Sequence, residues 1–202
     1  MLFGLIRLQS NPHHMSRMLS RRSFLSTLAA GVPLVALAPS AFAEAWSPAS
    51  PAASMATRAL TFAHTHTGEH LNVEYFTAGE YLPDALQTVN HFLRDFRTGD
   101  EHVIDPGLLD LLHSLNGLTG SSKPFQVISG YRSPKTNDML RRHSEGVAAG
   151  SLHMKGQAID IRLADVPLPK LRNAALEAQR GGVGFYPASD FVHVDTGRVR
   201  HW

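Results

Sequence analysis

No cysteine occurs among the 202 residues. That absence removes disulfides, thiolate zinc fingers, cysteine nucleophiles and lipid attachment at cysteine, so any metal must be held by His, Asp or Glu. It does not fix the compartment, because disulfides are optional in exported proteins. Acidic side chains are missing from residues 1–43, which carry Arg7, Arg17, Arg21 and Arg22. The formal charge of +2 for the whole chain comes from that segment; the remainder holds 15 Lys and Arg against 17 Asp and Glu, a charge of −2. A body with that balance lacks the basic patch or stripe that binds nucleic acid, and nucleic acid is set aside as a partner. Long hydrophobic runs are missing too. The stretch from Leu28 to Leu37 is interrupted by Gly31 and Pro33 and falls short of the roughly 20 apolar residues of a membrane-spanning helix. There is no internal repeat.

The N-terminus does carry an address. Ser20-Arg21-Arg22-Ser23-Phe24-Leu25 is a twin-arginine signature, followed by the short apolar run and by Ala41-Phe42-Ala43. Small residues at 41 and 43 suit a signal peptidase, which places the cut after Ala43. Residues 1–43 therefore read as a twin-arginine signal peptide with an over-long start, since Met15 or Met18 would give a more ordinary leader. An uncleaved anchor is the alternative. Residues 44–57, rich in Ala, Ser and Pro, read as a tether, and 58–202 as one domain delivered to the periplasm.

Within that domain, residues 58–64 and 70–76 alternate apolar and polar side chains around Thr67-Gly68, the pattern of a hairpin. Apolar residues at 82, 85, 86, 89, 92, 93 and 96 predict an amphipathic helix over 83–97. Asp105-Pro106 reads as an N-cap with proline at N1, opening a helix through about Leu115 that Gly117 and Gly120 end. A strand over 125–129, a polar helix over 135–143, a strand over 158–163, a helix over 168–179 and a final hairpin from 183–186 and 191–195 follow. Mixed order without repeated strand–helix–strand units predicts an α+β domain, a mostly antiparallel sheet with flanking helices.

Two segments carry chemistry: Ser151-Leu152-His153-Met154-Lys155-Gly156-Gln157-Ala158-Ile159-Asp160 and Asp190-Phe191-Val192-His193-Val194-Asp195. Alternation puts Ile159 and Ile161 on one face of a strand and Asp160 and Arg162 on the other; His193 shares the parity of Phe191 and Asp195. Neighbouring strands could bring His153, Asp160 and His193 to one metal. Two imidazoles, one carboxylate and an open position form the pattern of a catalytic zinc, and a spare carboxylate nearby is what a hydrolase needs to move protons. The same donor set also suits non-haem iron, and each residue alone could be an ordinary polar strand residue. His64, His66 and His70 could form a second metal site, but a polar hairpin tip accounts for them. His113 reads as the edge of the core, and His143 as a neighbour of the site. Ser151 either meets substrate or shapes its turn, and Tyr186 either lines the groove or packs, packing being the preferred reading.

The run Ser-x-His-x-x-Gly-x-Ala-x-Asp, with a later acidic residue three before His193, resembles the M15 zinc D-alanyl-D-alanine peptidases of the LAS group. Ser129-Gly130-Tyr131-Arg132-Ser133-Pro134-Lys135-Thr136-Asn137, Gly181-Gly182-Val183-Gly184-Phe185-Tyr186-Pro187 and Phe191 to Arg198 resemble most closely the murein endopeptidase K branch. The likeness covers most of 58–202. It implies one zinc ion held by His153, Asp160 and His193. It also implies Asp190 as the catalytic acid and base, in a position where the family usually has Glu, and Arg132 near the metal to hold an oxyanion or a substrate carboxylate. Asp195 competes with Asp190 as base, its other role being to orient a ligand or a nearby cation. The implied reaction is D,D-endopeptidase cleavage of D-alanyl–diaminopimelate cross-links in peptidoglycan. D,D-carboxypeptidase or dipeptidase activity is one alternative; a non-catalytic, zinc-containing wall-binding domain is another.

Overall fold

Strand β1 (Arg58–His64) turns through Gly68, at φ +73°, into β2 (His70–Thr77), and the two pair antiparallel in the register Phe62 to Leu71. These belong to a computed structural model that describes residues 56–143 and 146–202; the leader and nearly all of the tether expected from the sequence lie outside the described residues. A two-residue strand, β3 (Glu80–Tyr81), extends the sheet beyond β2. Helix α1 (Pro83–Phe92) stops five residues earlier than its apolar spacing predicts. Asp95 is the reason: its side chain accepts from the Arg97 N–H and its carbonyl from Gly99, so the chain turns here instead of continuing the helix.

Helix α2 (Pro106–Thr119) begins as its sequence requires, with the Asp105 carboxylate accepting from Gly107 N–H at 2.8 Å. It runs straight through Gly117, where a side chain would meet only open space, and ends at Gly120, whose φ of +71° makes the left-handed cap. Next come β4 (Phe125–Ser129), α3 (Pro134–His143), a single 3₁₀ turn (Leu152–Lys155) and β5 (Ala158–Leu163). Helix α4 (Leu168–Ala178) is followed by β6 (Gly182–Tyr186), a 3₁₀ turn (Pro187–Ser189), β7 (Phe191–Asp195) and a short β8 (Arg200–His201). The 3₁₀ turns, β3 and β8 carry too few residues to show a period in sequence.

All eight strands form one open sheet in the order β3-β2-β1-β4-β5-β7-β6-β8. Its pairs are antiparallel except β1 with β4 and β6 with β8. The domain is α+β with a mostly antiparallel sheet. Helices α2 and α4 pack on each other and on the sheet. Between them lies a core of Leu60, Phe62, Leu108, Leu112, Phe125, Val127, Ile159, Ile161, Leu171, Val192 and Val194. Each of the large side chains in that set contributes about 1.5–3 kcal/mol by leaving water. Alternation then fixes the other face: with Ile159, Ile161, Val192 and Val194 turned to the helices, Asp160 and His193 must point away from them. Among the described residues no helix is long and apolar enough to cross a membrane.

Candidate metal centre

Asp160 and His193 are direct partners in the β5–β7 register, so their side chains rise side by side from one face. His153 arrives from the 3₁₀ turn. Ser151 caps that turn, its hydroxyl accepting from the His153 N–H at 3.3 Å, and Gly156 ends it at φ +65°. A register shift between Val127 and Ser129 bulges β4 beside β5, bringing the Gly130 carbonyl against the His153 ring.

The three side chains converge. His153 Nε2 lies 3.1 Å from His193 Nδ1 and 3.2 Å from Asp160 Oδ1, and His193 Nδ1 lies 2.9 Å from that same oxygen. All three residues are buried, and they are the only group of three or more such donors found together among the described residues. A tetrahedral zinc with bonds of about 2.1 Å spaces its ligand atoms about 3.4 Å apart, so the cluster is close to that geometry and slightly tighter.

The outer hydrogen bonds decide which nitrogens face inward. His153 Nδ1 lies 2.8 Å from the Gly130 carbonyl, which can only accept, so Nδ1 carries the proton and Nε2 a lone pair. His193 Nε2 lies 3.1 Å from Asp195 Oδ2, so Nε2 carries the proton and Nδ1 the lone pair. Two nitrogen lone pairs and a carboxylate oxygen therefore point at one another, an arrangement that repels itself unless a cation or a shared proton occupies it. Burial works to raise the Asp160 carboxyl, but the two imidazoles overcome it and hold the group well below the usual carboxylate range. Burial pushes His153 down, only partly offset by Asp160. Burial also lowers His193, yet its bonds to Asp160 and Asp195 outweigh that and raise it.

Asp195 is fully buried and holds His193 from behind. Its carboxylate accepts from the Gly182 and Gly197 amides and from Arg200 on both oxygens, at 3.0 and 2.7 Å. Burial works to raise this group too, and the donors pull it well below its ordinary value. Asp195 meets His193 on the side away from the cluster, a position that matches the second of the two roles open to it in the sequence, orienting that ring. Arg132 is clamped by its backbone: its N–H donates to the His153 carbonyl at 3.2 Å, and Ser133 next to it is bound through N–H and hydroxyl to the buried Asp95. The Arg132 Nη2 lies 3.5 Å from Asp160 Oδ2, and its Nε is buried with no partner.

A cleft of about 280 Å³ opens over the cluster, lined by Arg132, His153, Asp160, His193 and the loop 146–152 on one hand and Tyr186, Phe191, Arg200 and Trp202 on the other. The structure does not bring Asp190 into it. Asp190 sits at the end of the 3₁₀ turn with φ +54°, its carboxylate exposed and 2.7 Å from Arg162 Nη1, on a neighbouring surface lined by Gln126, Arg162 and Leu168. Among the described residues Asp160 is the only carboxylate lining the cleft. The hairpin histidines do not form a second site: His64 is buried with Nδ1 accepting from the His66 and Thr67 amides, and His66 stacks on Phe96 at 4.1 Å. His143 binds the Met139 carbonyl at the end of α3, lining a separate groove. Sequence reasoning missed Arg200 and Trp202. They lie outside any metal spacing, and only the β6–β8 pairing carries them to the cleft.

A family model described as Peptidoglycan L,D-endopeptidase MepK matches residues 52–202. The Peptidoglycan L,D-endopeptidase MepK of Escherichia coli (strain K12) is 50% identical over 145 residues, 72% of this chain and 80% of the relative. The protein of the same description from Shigella flexneri matches with the same figures. The Probable peptidoglycan L,D-endopeptidase MepK of Haemophilus influenzae is 45% identical over 146 residues, 72% of this chain and 78% of that protein.

Proposed function

The chain belongs to the M15 peptidase family, in the branch described as peptidoglycan L,D-endopeptidase MepK, and from that membership we propose that it is a zinc metallopeptidase cutting stem-peptide cross-links of peptidoglycan. One observation carries the reading: two imidazole lone pairs and a carboxylate oxygen meet within 3.2 Å beneath an open cleft. A zinc ion held by His153, Asp160 and His193 supplies Lewis acidity and lowers the pKa of water. The family favours zinc over iron.

The chain's own groups do the rest. Asp195 and the Gly130 carbonyl fix the two rings so that the inward nitrogens stay unprotonated. Arg132, with its Nη2 3.5 Å from Asp160 and its buried Nε unpartnered, offers a fixed cation to a substrate carboxylate or to the oxyanion that forms during amide hydrolysis. Asp190 is proposed as the proton carrier on the strength of its place three residues before His193; to act, its carboxylate must leave Arg162 and turn to the cleft.

The bond proposed is the L,D type, because the relatives' names specify L,D-endopeptidases; it replaces the D-alanyl–diaminopimelate D,D bond expected from the sequence. The site of action proposed is the periplasm, reached by twin-arginine export of the folded domain. The test is incubation of the purified protein with intact sacculi, and with L,D- and D,D-cross-linked muropeptide dimers, with and without chelator. Conversion of the L,D dimer to monomers, abolished by chelation and restored by zinc, is expected. Full activity in excess phenanthroline overturns the metallopeptidase reading, and cleavage of the D,D dimer alone restores the D,D assignment.

A second reading, a wall-binding domain that holds zinc without turnover, is favoured by the engagement of Asp190 with Arg162. Asp190→Ala separates the two. A peptidase keeps its zinc and loses turnover, whereas a binder keeps both zinc and affinity for sacculi and never had turnover.

A further inference from the structure

Beside the metal ligands the cleft has an aromatic side, and its construction is specific. Gly184 pairs with His193 and Tyr186 with Phe191 across β6 and β7, so Gly184 and Tyr186 share the face that bears the site. Gly184 leaves an empty position next to His193, and two rings fill it: a Cβ there would lie 2.8 Å from a ring carbon of Tyr186 and from one of Trp202. Phe191 stacks on the Tyr186 ring at 4.6 Å and 22°. Trp202 is anchored by its backbone, its N–H donating to the Val183 carbonyl at 3.2 Å and its carbonyl accepting from Phe185 at 3.1 Å. Its indole N–H donates to the Tyr186 hydroxyl oxygen at 2.7 Å, while its ring lies 5.3 Å from that of His193.

The consequence concerns a proton. A phenol both donates and accepts. Here the accepting side is occupied by Trp202, the ring is held by Phe191, and the hydroxyl proton meets no acceptor among the described residues. Tyr186 lines the same cleft as Arg132 and the metal ligands. An immobilised donor whose rotation is already restricted binds an incoming acceptor with little further loss of entropy. Trp202, not Tyr186, is the ring next to His193, so the hydroxyl stands off from the reacting centre by the width of an indole.

We propose that Tyr186 is a substrate-binding residue, whose hydroxyl donates to a carboxylate or carbonyl oxygen of the bound peptide beside, not at, the scissile bond. This rests on the peptidase reading of the cleft. It assigns to Tyr186 a contact with substrate where the sequence reading preferred packing over a place in the groove.

The experiment compares the zinc-loaded wild type with Tyr186→Phe and Trp202→Phe on the purified muropeptide dimer that the wild type cleaves, reading KM, kcat, zinc content and melting temperature. Tyr186→Phe should raise KM by about 3- to 10-fold, the net worth of one hydrogen bond. It should leave kcat within about twofold and zinc content unchanged, because the reacting centre is untouched. Trp202→Phe keeps the hydroxyl but frees its orientation, and should raise KM less than Tyr186→Phe does. An unchanged KM in Tyr186→Phe overturns the inference; so does a fall in kcat at constant KM, or a larger effect from Trp202→Phe. A wild type that cleaves no dimer removes the peptidase reading and this inference with it, whereas a cleaving wild type matched by Tyr186→Phe removes the inference alone.

Discussion

His153 and His193 each have an outer partner that fixes which nitrogen faces inward, and those partners matter as much as the cluster itself. His153→Ala should lose bound metal and activity together, read by metal analysis of purified protein and by muropeptide release; stoichiometric zinc in that variant would rule out His153 as a ligand. Asp195 is the sharper case. Its carboxylate accepts from His193 Nε2–H, from two amides and from Arg200. Asp195→Asn keeps the size but lets the amide turn a donor toward His193, which then loses its preferred tautomer. Zinc affinity should fall by about 10- to 100-fold, the usual cost of removing such a partner, and competition with a chromophoric chelator measures it. The same residues show where sequence stops at this scale. Residue type and spacing pointed to two histidines and an aspartate, but nothing in the run from Asp190 to Asp195 says that the first carboxylate pairs with Arg162 while the second lies behind His193.

At the scale of elements, the 3₁₀ turn and the hairpin show two different constraints. Gly156 ends the turn that carries His153, at φ +65°, and a Cβ there would collide with the Val103 carbonyl. Gly156→Ala should therefore destabilise the domain by about 2 kcal/mol or more and loosen zinc as well, seen as a lowered urea midpoint and reduced zinc content. In the β1–β2 hairpin, His64 is buried with its Nδ1 already accepting two amides. Burial foremost, with the nearby His66 and Arg94 adding to it, lowers its pKa to about 4. The folded value lies below the unfolded one, so as pH falls the unfolded chain takes the proton first and stability drops from about pH 6.5 down to about 4. The loss is on the order of 2 kcal/mol, and His64→Phe should flatten the urea midpoint against pH over that window. Of these features the hairpin was legible, because two alternating runs around Thr67-Gly68 repeat a period imposed by the strand itself. The early end of α1 was not: its apolar spacing continues to Phe96, and the capture of the backbone by Asp95 has no period to reveal it.

The whole molecule ties distant segments to one point: the 3₁₀ turn, β5 and β7 each supply one donor. A cation bound there links all three and stabilises the folded state by mass action. Stripping metal with EDTA should lower the melting temperature by several degrees, an effect reversed by one equivalent of zinc; an identical melting curve with and without chelator would leave the cluster without a cation to hold. What the sequence by itself determined was local: strand and helix periods, the Asp105 cap, the faces of β5, and the donor types. These follow from backbone geometry and from the chemistry of single side chains, which near neighbours in the chain suffice to express. What only the tertiary structure decided was register: Asp160 opposite His193, the β4 bulge that sets the Gly130 carbonyl on His153, and the edge strand that brings Trp202 to the cleft. Those pairings come from free-energy differences summed over residues tens of positions apart, and no local pattern encodes such a sum.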